Sequence, residues 1–402
     1  MRWPETQQLI TAFAVKPESL RFVGGAVRDA LLAREVSDVD AATTLLPEAT
    51  MALLERSGIR AIPTGIKHGT VTAVIDRKHF QITTLRRDVS TDGRHAEVAY
   101  TDDWKEDASR RDFTMNALYL TPSGELFDCF GGEMDAKAGH VRFIGDPTQR
   151  ITEDYLRILR FFRFHAHYGK GAPDAAALTA CSAQTTYMES LSGERIQYEL
   201  FKLFSAPRAS ETLNIMREQN SFPPILGFAV TNVEKFVRFE SIEKIMAIRI
   251  EPCVKLFEFI RAAKVTAESA LAALVSRLHL SNQDEKILQI MLRHLAEVQS
   301  NMTQPQQKKL LRKLGTEHFA ATVMARWVDS DEAITSDHPY AAMLTLAAQW
   351  QPPIFPVNGD DLIALGIAPG KELGDTLRTL EEFWEERNYV PSKKALLAQL
   401  KN

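Results

Sequence analysis

The chain is poor in cysteine, carries little net charge of either sign, and has no long apolar run. Its three cysteines, Cys129, Cys181 and Cys253, lie far apart and show no C-x-x-C spacing, so neither a zinc site nor a disulfide framework is encoded. A reducing, cytoplasmic setting is therefore expected. The first residues, MRWPETQQLITAF, lack the continuous apolar core and small-residue cleavage site of a secretory signal and read as a helix starting after Pro4. The longest uncharged run, 339–359, holds only the 11-residue apolar stretch YAAMLTLAAQW before prolines break it. That is short of the ~20 residues a membrane helix needs, so no membrane partner is expected. A formal net charge of -4 is far from the basic footprint of a protein that coats nucleic acid without discrimination. A nucleic-acid substrate would have to be gripped by local patches. There is no fixed-period repeat, no low-complexity tract, and no H…HD pattern in the second half that would signal an added phosphohydrolase.

What is present is an ordinary globular composition: 402 residues, 45% hydrophobic and 25% charged, enough for two or three domains. Up to about residue 145, short β-rich runs (RFVGG, VSDVDAAT, TVTAVI, HFQITTL, FTMNALYL) alternate with helical patterns, which predicts an α/β head. From Ile151 onward, apolar residues recur every three to four positions, as in YLRILRFFRF and ERIQYELFKLF, and the remainder reads as all-helical.

Three stretches carry chemistry. In FVGGAVRDALLAREVSDVD, a strand ending at Gly24 and Gly25 and followed by a helix lets bare backbone N–H groups approach a phosphate. Asp38 and Asp40, read as residues i and i+2 of a strand, share one face, and like charges that close call for a cation such as Mg²⁺. On its own D-x-D is more often a solvated turn. Coupling to Gly-Gly and Arg28-Asp29 turns it toward a metal-assisted phosphoryl or nucleotidyl transfer site. Arg28 is either a phosphate ligand or a scaffold residue paired with an acid.

In SRRDFTMNALYL, Arg110 and Arg111 can face a triphosphate while Asp112 is free to accept from a hydroxyl. In ITEDYLRILRFFRF, Asp154 and Arg157 read as i,i+3 neighbours on one helix, Glu153 and Arg157 as i,i+4, with Arg160 a further turn along. The ordinary reading is an ion-pair ladder. The sharper one is a carboxylate beside a guanidinium, which complements the amine donor and ring-nitrogen acceptor shared by cytosine and adenine and opposes the edges of uracil and guanine.

Together these segments resemble the class II tRNA nucleotidyltransferases, the CCA-adding enzymes of the polymerase β-like superfamily, which include bacterial poly(A) polymerases. GGAVRD with DVD looks like motif A, RRDFTMNA like motif B, DCFGGEMDAKAGHVRFIGD like motif C, EDYLRILRFFRF like motif D and ERIQYELFKLF like motif E, in order over roughly residues 21–205. The tail segment GDDLIALGIAPGKELG also resembles that of bacterial members. The resemblance implies an α+β fold: a polymerase β-like α/β head (1–147) followed by an all-α neck (148–205), body (206–350) and tail (351–402). It implies that Asp38 and Asp40 hold two Mg²⁺ ions. Gly24, Gly25, Arg28, Arg111, Asp112 and Asn116 would surround the triphosphate and ribose, and Asp154, Arg157 and Arg160 would meet the base of CTP or ATP. The implied reaction is addition of C, C and A to the 3' end of tRNA with release of pyrophosphate, requiring no protein partner. The alternatives are a bacterial poly(A) polymerase and a degenerate RNA-binding relative.

Two features bear on that choice. Where relatives commonly carry a third carboxylate, HFQITTLRRD has Gln81, which brings no charge and predicts unusual metal dependence. The charged segment 86–109 is intact, as in complete CCA-adding members, and no basic block follows Glu381. For tRNA, a basic helix face, Lys308, Lys309, Arg312 and Lys313, is the candidate contact, against the plainer reading of a solvated face.

Overall fold

The computed structural model describes residues 3–92, 95–231, 233–262 and 267–401. The chain divides into two compact units, Met1–Ala229 and Val230–Asn402. The first begins with strands β1 (Leu20–Val23), β2 (Ala41–Thr43), β3 (Arg60–Gly65), β4 (Thr70–Ile75), β5 (Lys78–Thr84), β6 (Arg86–Asp92), β7 (His95–Tyr100), β8 (Leu118–Leu120) and β9 (Leu126–Asp128). Seven of them form one sheet in the order β3-β4-β5-β2-β1-β8-β9, and β6 and β7 pair separately. All neighbours in the large sheet are antiparallel except β2 and β5, which run parallel with Ala41 opposite Ile82.

Alternation decides what each face of this sheet does. Leu20 and Phe22 of β1, Ala41 of β2, and Phe80 and Ile82 of β5 enter one apolar cluster with Leu9, Phe13 and Leu54 from the covering helices. The residues between them, Gln81 and Thr83 on β5 and Val23 on β1, point to the other face. That second face carries the cleft described below. Its buried floor is Val23, Ala42, Leu85, Ala108, Ala117, Tyr119 and Ile144.

The sheet is followed by helices Pro147–Glu153, Leu156–Tyr168, Ala175–Gln184 and Gly193–Phe204. Leu156–Tyr168 buries Leu159, Phe161, Phe162, Phe164 and Ala166, and packs on Gly193–Phe204 through Ile196, Leu200, Leu203 and Phe204. Phe113 of the head lies 4.9 Å from Phe143 and 5.1 Å from Phe164, so an aromatic cluster ties the two parts together. Helices Ala209–Glu218 and Pro223–Leu226, at the start of the expected body, belong to this first unit.

The second unit is helical in its described residues. Its last segment has its own apolar cluster of Val357, Leu362, Leu380, Trp384 and Leu396. Helix Gln304–Leu314 meets helix Lys371–Glu386 through Arg312, which pairs with Glu385 at 2.7 Å and with Glu381 at 2.5 Å.

One close approach fixes a glycine. A Cβ built on Gly132, at the start of helix Gly132–Ala138, would stand 2.1 Å from the Thr114 carbonyl oxygen. Gly132→Ala is therefore expected to cost about 1–3 kcal/mol by overpacking, read as a drop of several degrees in the melting transition of the first unit. A melt unchanged within a degree would show that the backbone yields there at no cost.

Candidate active site

A cleft of about 690 Å³ opens on the second face of the sheet and is walled by Gly24, Gly25, Arg28, Asp40, Gln81, Arg110, Arg111, Asp112, Asn116, Asp154, Arg157, Arg160 and Arg195, among others. Residues from five stretches of sequence thus share one site. Gly24 links β1 to the short helix Gly25–Leu31 with φ 67°, a left-handed conformation that favours glycine. A Cβ built there would stand in contact with the Arg111 Nη1 atom, at 3.6 Å.

The two carboxylates are not on a strand as expected. Residues 34–40 form an irregular extended segment, and β2 begins only at Ala41. Asp40 is nonetheless held in sheet geometry, because its carbonyl accepts from the Val23 N–H at 3.0 Å. Continuing the parallel register one step back from Ala41 and Ile82 sets Asp40 beside Gln81. Burial by the cleft walls raises the Asp40 carboxyl above its usual range, the nearby Asp38 charge adds to the rise, and Arg111 opposes it. Asp38 stands outside the cleft wall and accepts from Ser37 Oγ at 3.1 Å. Among the described residues neither carboxylate has an ion-pair partner, and no group of three or more His, Cys, Asp or Glu side chains could hold a metal. Two hard oxygen donors without a compensating cation fit Mg²⁺, which binds through one or two carboxylates together with substrate phosphates.

Asp112 is not free to accept from a hydroxyl. Its Oδ1 accepts from the Phe113 N–H at 2.9 Å and from Asn116 Nδ2 at 3.0 Å, and its Oδ2 accepts from Arg160 Nε at 2.8 Å and from Arg160 Nη2. Burial works against its charge, but Arg160, the Asn116 amide and the Phe113 N–H outweigh it and hold the carboxyl at about 2. Arg28, left open between two roles, is a scaffold residue. It donates twice to Asp29, at 3.0 and 2.9 Å, once to Tyr168 Oη at 2.6 Å and once to Asn116 Oδ1, using four of its five N–H groups. Arg111 is anchored on one side only: Nε donates to Tyr119 Oη at 3.0 Å and Nη2 pairs with Asp107 at 3.2 Å. Its Nη1 is left beside Gly24.

The base-reading pair also departs from its expected geometry. Asp154 and Arg157 do not share a helix, because Pro147–Glu153 ends before Asp154, whose φ of -158° and ψ of 106° are extended. Asp154 Oδ1 accepts from the Leu156 N–H at 3.1 Å, competing with a continuous helix as short polar side chains do. Its Oδ2 accepts from Arg195 at 2.7 Å. Arg157 Nη1 donates to the Arg150 carbonyl at 2.6 Å and pairs with Glu153, leaving Nε and Nη2 for a ligand. Arg160 joins Asp112 to Glu199, a carboxylate 2% exposed that also binds Arg163.

Three residues escaped sequence reasoning. Arg195 and Glu199 stand four apart on helix Gly193–Phe204, a spacing that marks one helical face, but only packing reveals what they meet. Asp107, 1% exposed, holds both Arg110 and Arg111 from the preceding helix turn. The basic face named as the candidate RNA contact has partners within its own unit. Lys308 donates to Asn388 at 3.1 Å, Lys309 faces Glu385 at 3.6 Å, Lys313 faces Glu297 at 3.4 Å, and Arg312 clamps two glutamates of the last long helix. Arg312 is thereby a packing residue, while the side chains of Lys309 and Lys313 stay more than half exposed.

Because the folded-state pKa of Asp112 lies below its usual unfolded value of ~3.9, its stabilisation is present above that value and lost as pH falls from about 4 toward 2. Asp112→Asn is expected to remove this dependence and destabilise the first unit by about 1–3 kcal/mol, since it leaves Arg160 with Glu199 as its remaining carboxylate. Acid and thermal unfolding of both forms check this, and equal stability of the two at pH 7 would show that Arg160 finds another anion.

Comparison with known proteins is consistent along the whole length. A family model described as the poly A polymerase head domain matches residues 20–142, and one described as a probable RNA and SrmB-binding site of polymerase A matches 173–228. The mitochondrial CCA tRNA nucleotidyltransferase 1 of Mus musculus is 34% identical over 99% of this chain and 92% of its own. A CCA-adding enzyme of Staphylococcus saprophyticus is 27% identical over 90% and 88%. The crystal structure of the Bacillus stearothermophilus CCA-adding enzyme in complex with CTP superposes with a TM-score of 0.75 at 25% identity, covering 99% of this chain and 97% of that one. No helix among the described residues is long and apolar enough to cross a membrane. The chain belongs to the CCA tRNA nucleotidyltransferase family.

Proposed function

We propose that this protein adds C, C and A in turn to the 3' end of tRNA, drawing on CTP and ATP and releasing pyrophosphate. The observation that carries the reading is the convergence in one cleft of a glycine turn, an uncompensated carboxylate, a half-anchored Arg111 and the Asp154 and Arg157 pair. The acceptor's 3' oxygen attacks the α-phosphorus, the bond to the β-phosphate oxygen breaks, and the hydroxyl proton is lost as the new ester forms. Mg²⁺ held by Asp38 and Asp40 would lower the hydroxyl's pKa and offset charge on the phosphates.

The protein's own residues do the rest. Arg111 Nη1 beside Gly24 offers an N–H to a phosphate oxygen, and Gly24 and Gly25 keep that approach open. Asp112 acts through Arg160 and Asn116 and touches no reacting atom. Asp154 accepts from the exocyclic amine of C or A while Arg157 donates to the ring nitrogen beside it. U and G would set a carbonyl against the carboxylate and an N–H against the guanidinium. Head, neck, body and tail at 1–147, 148–205, 206–350 and 351–402 belong to this reading, supported by the helix that starts at Pro147 and by the separate apolar cluster of the last segment. A cytoplasmic location is supported by three unpaired thiols.

With Mg²⁺, tRNA lacking its CCA end and each labelled nucleotide, the expected incorporation is two C and one A, with no U or G. Long A tracts on arbitrary RNA would assign poly(A) synthesis instead, and binding without incorporation would assign a degenerate relative. Asp40→Asn is expected to lower the rate by on the order of 10³. Gln81→Glu, beside Asp40, is expected to lower the half-saturating Mg²⁺ concentration several-fold by completing a third carboxylate. An unchanged Mg²⁺ titration would remove Gln81 from the metal-binding argument.

A further inference from the structure

Just outside the cleft, Tyr155 and Tyr187 stack with ring centroids 4.8 Å apart and planes inclined by 12°. Tyr155 lies between Asp154 and Leu156, which both line the cleft, but is not itself a lining residue. Tyr187 sits on the short turn Thr185–Ser190, whose neighbours Thr185 and Met188 are buried and fix it, while Tyr187 itself is 55% exposed. Among the described residues, Tyr198 is the other large aromatic as open as this one. The stack fixes one face of the ring and leaves the other to solvent, so a flat surface is preorganised at the cleft's rim.

The geometry points to a landing platform for a base of the RNA acceptor's unpaired 3' end, stacked on the outer face of Tyr187. The inference rests on the proposed transfer reaction and names how that site holds its acceptor. Three observations select this occupant. The incoming base is assigned to Asp154 and Arg157, and Tyr155 directly follows Asp154 in the chain, so a base on the stack lies beside that pocket. Cations stand on the neighbouring helix: Arg195 binds the carboxylate of the residue next to Tyr155, and two turns further along, the ammonium of Lys202 lies 4.4 Å from the ring of the exposed Tyr198. Residues 173–228, which include Tyr187, Arg195 and Lys202, match the family model described as a probable RNA-binding site. Stacking is indifferent to which base is presented, which suits a surface that must take the end before each addition.

The test measures nucleotide transfer by the full-length protein with Mg²⁺, CTP and tRNA lacking its CCA end, varying tRNA and CTP separately. Tyr187→Ala is expected to raise KM for tRNA roughly tenfold, the range of a lost base-aromatic stack, while KM for CTP moves less than twofold. Tyr187→Phe, which keeps the ring, is expected to restore the wild-type value. A second reading uses an RNA ending in 2-aminopurine, whose fluorescence should be quenched on binding wild type and Tyr187→Phe but not Tyr187→Ala. An unchanged KM for tRNA, an equal rise in both KM values, or failure of Tyr187→Phe to rescue would overturn the platform. Tyr187 is exposed, so folding is not at stake, and an unaltered melting temperature confirms that. Absence of transfer by the wild-type protein would instead overturn the proposed function, so the two failures are distinct.

Discussion

A carboxylate buried where a strand-bearing head meets a helical neck stays ionised only if its charge is matched, and Asp112 is matched from both sides. Arg160 arrives from the neck, and Asn116 and the Phe113 N–H from the head. Leaving the Asp112 charge alone would cost about 3–5 kcal/mol, so the pair constrains how helix Leu156–Tyr168 lies against the sheet. The constraint spreads by hydrogen bonds. Asn116 also accepts from Arg28, Arg28 holds Tyr168 at the far end of the same helix, and Arg160 reaches Glu199 on the next one. Arg150 adds donors to the Arg110 and Arg111 carbonyls at 2.5 and 2.8 Å. The cleft wall carrying Arg111 and the wall carrying Asp154 and Arg157 are thereby tied to each other, which a reaction between two bound substrates requires.

The same network explains why an active site rich in arginine sits in a chain of net charge -4. Most of the guanidinium groups at the cleft are neutralised by Asp29, Asp107, Asp112, Glu153, Asp154 or Glu199. They serve as rigid parts whose remaining N–H groups point in set directions. Arg111 Nη1 and the Nε and Nη2 of Arg157 are among the donors left over. A planar guanidinium can be anchored by one edge and present another, which an ammonium cannot do. Average charge carries little information about the substrate for that reason.

Much of this was legible from residue spacing. The β-rich run HFQITTL is a strand, with Phe80 and Ile82 in the core, and the glycine turn after RFV stands where expected. Legibility failed where side chains compete with backbone or meet residues distant in sequence. Helical periodicity runs through Glu153-Asp154-Tyr155, yet Asp154 caps the following turn and breaks the helix. Its partner Arg195 is 41 residues away. Asp112 looked available because nothing in RRDFTMNA announces Arg160. The lysine-rich face of helix Gln304–Leu314 looked open because its partners, Glu381 and Glu385, lie about 70 residues downstream. Local pattern gives faces and turns; pairings across long separations are decided by packing.

Gln81 shows how a single neutral residue redistributes the work of such a site. Asp40 is already raised by burial and by Asp38, so a glutamate across the register would add a third like charge and raise the cost of assembling the cleft without a cation. The amide avoids that cost and gives up the attraction. In the proposed reaction, a divalent ion held by Asp38 and Asp40 would have fewer protein oxygens to bind and would complete its shell from phosphate and water. The triphosphate would then be part of what assembles the charge balance. Nucleotide and metal binding would be coupled by linkage, each strengthening the other by the same factor, because the contact between them is missing when either is absent.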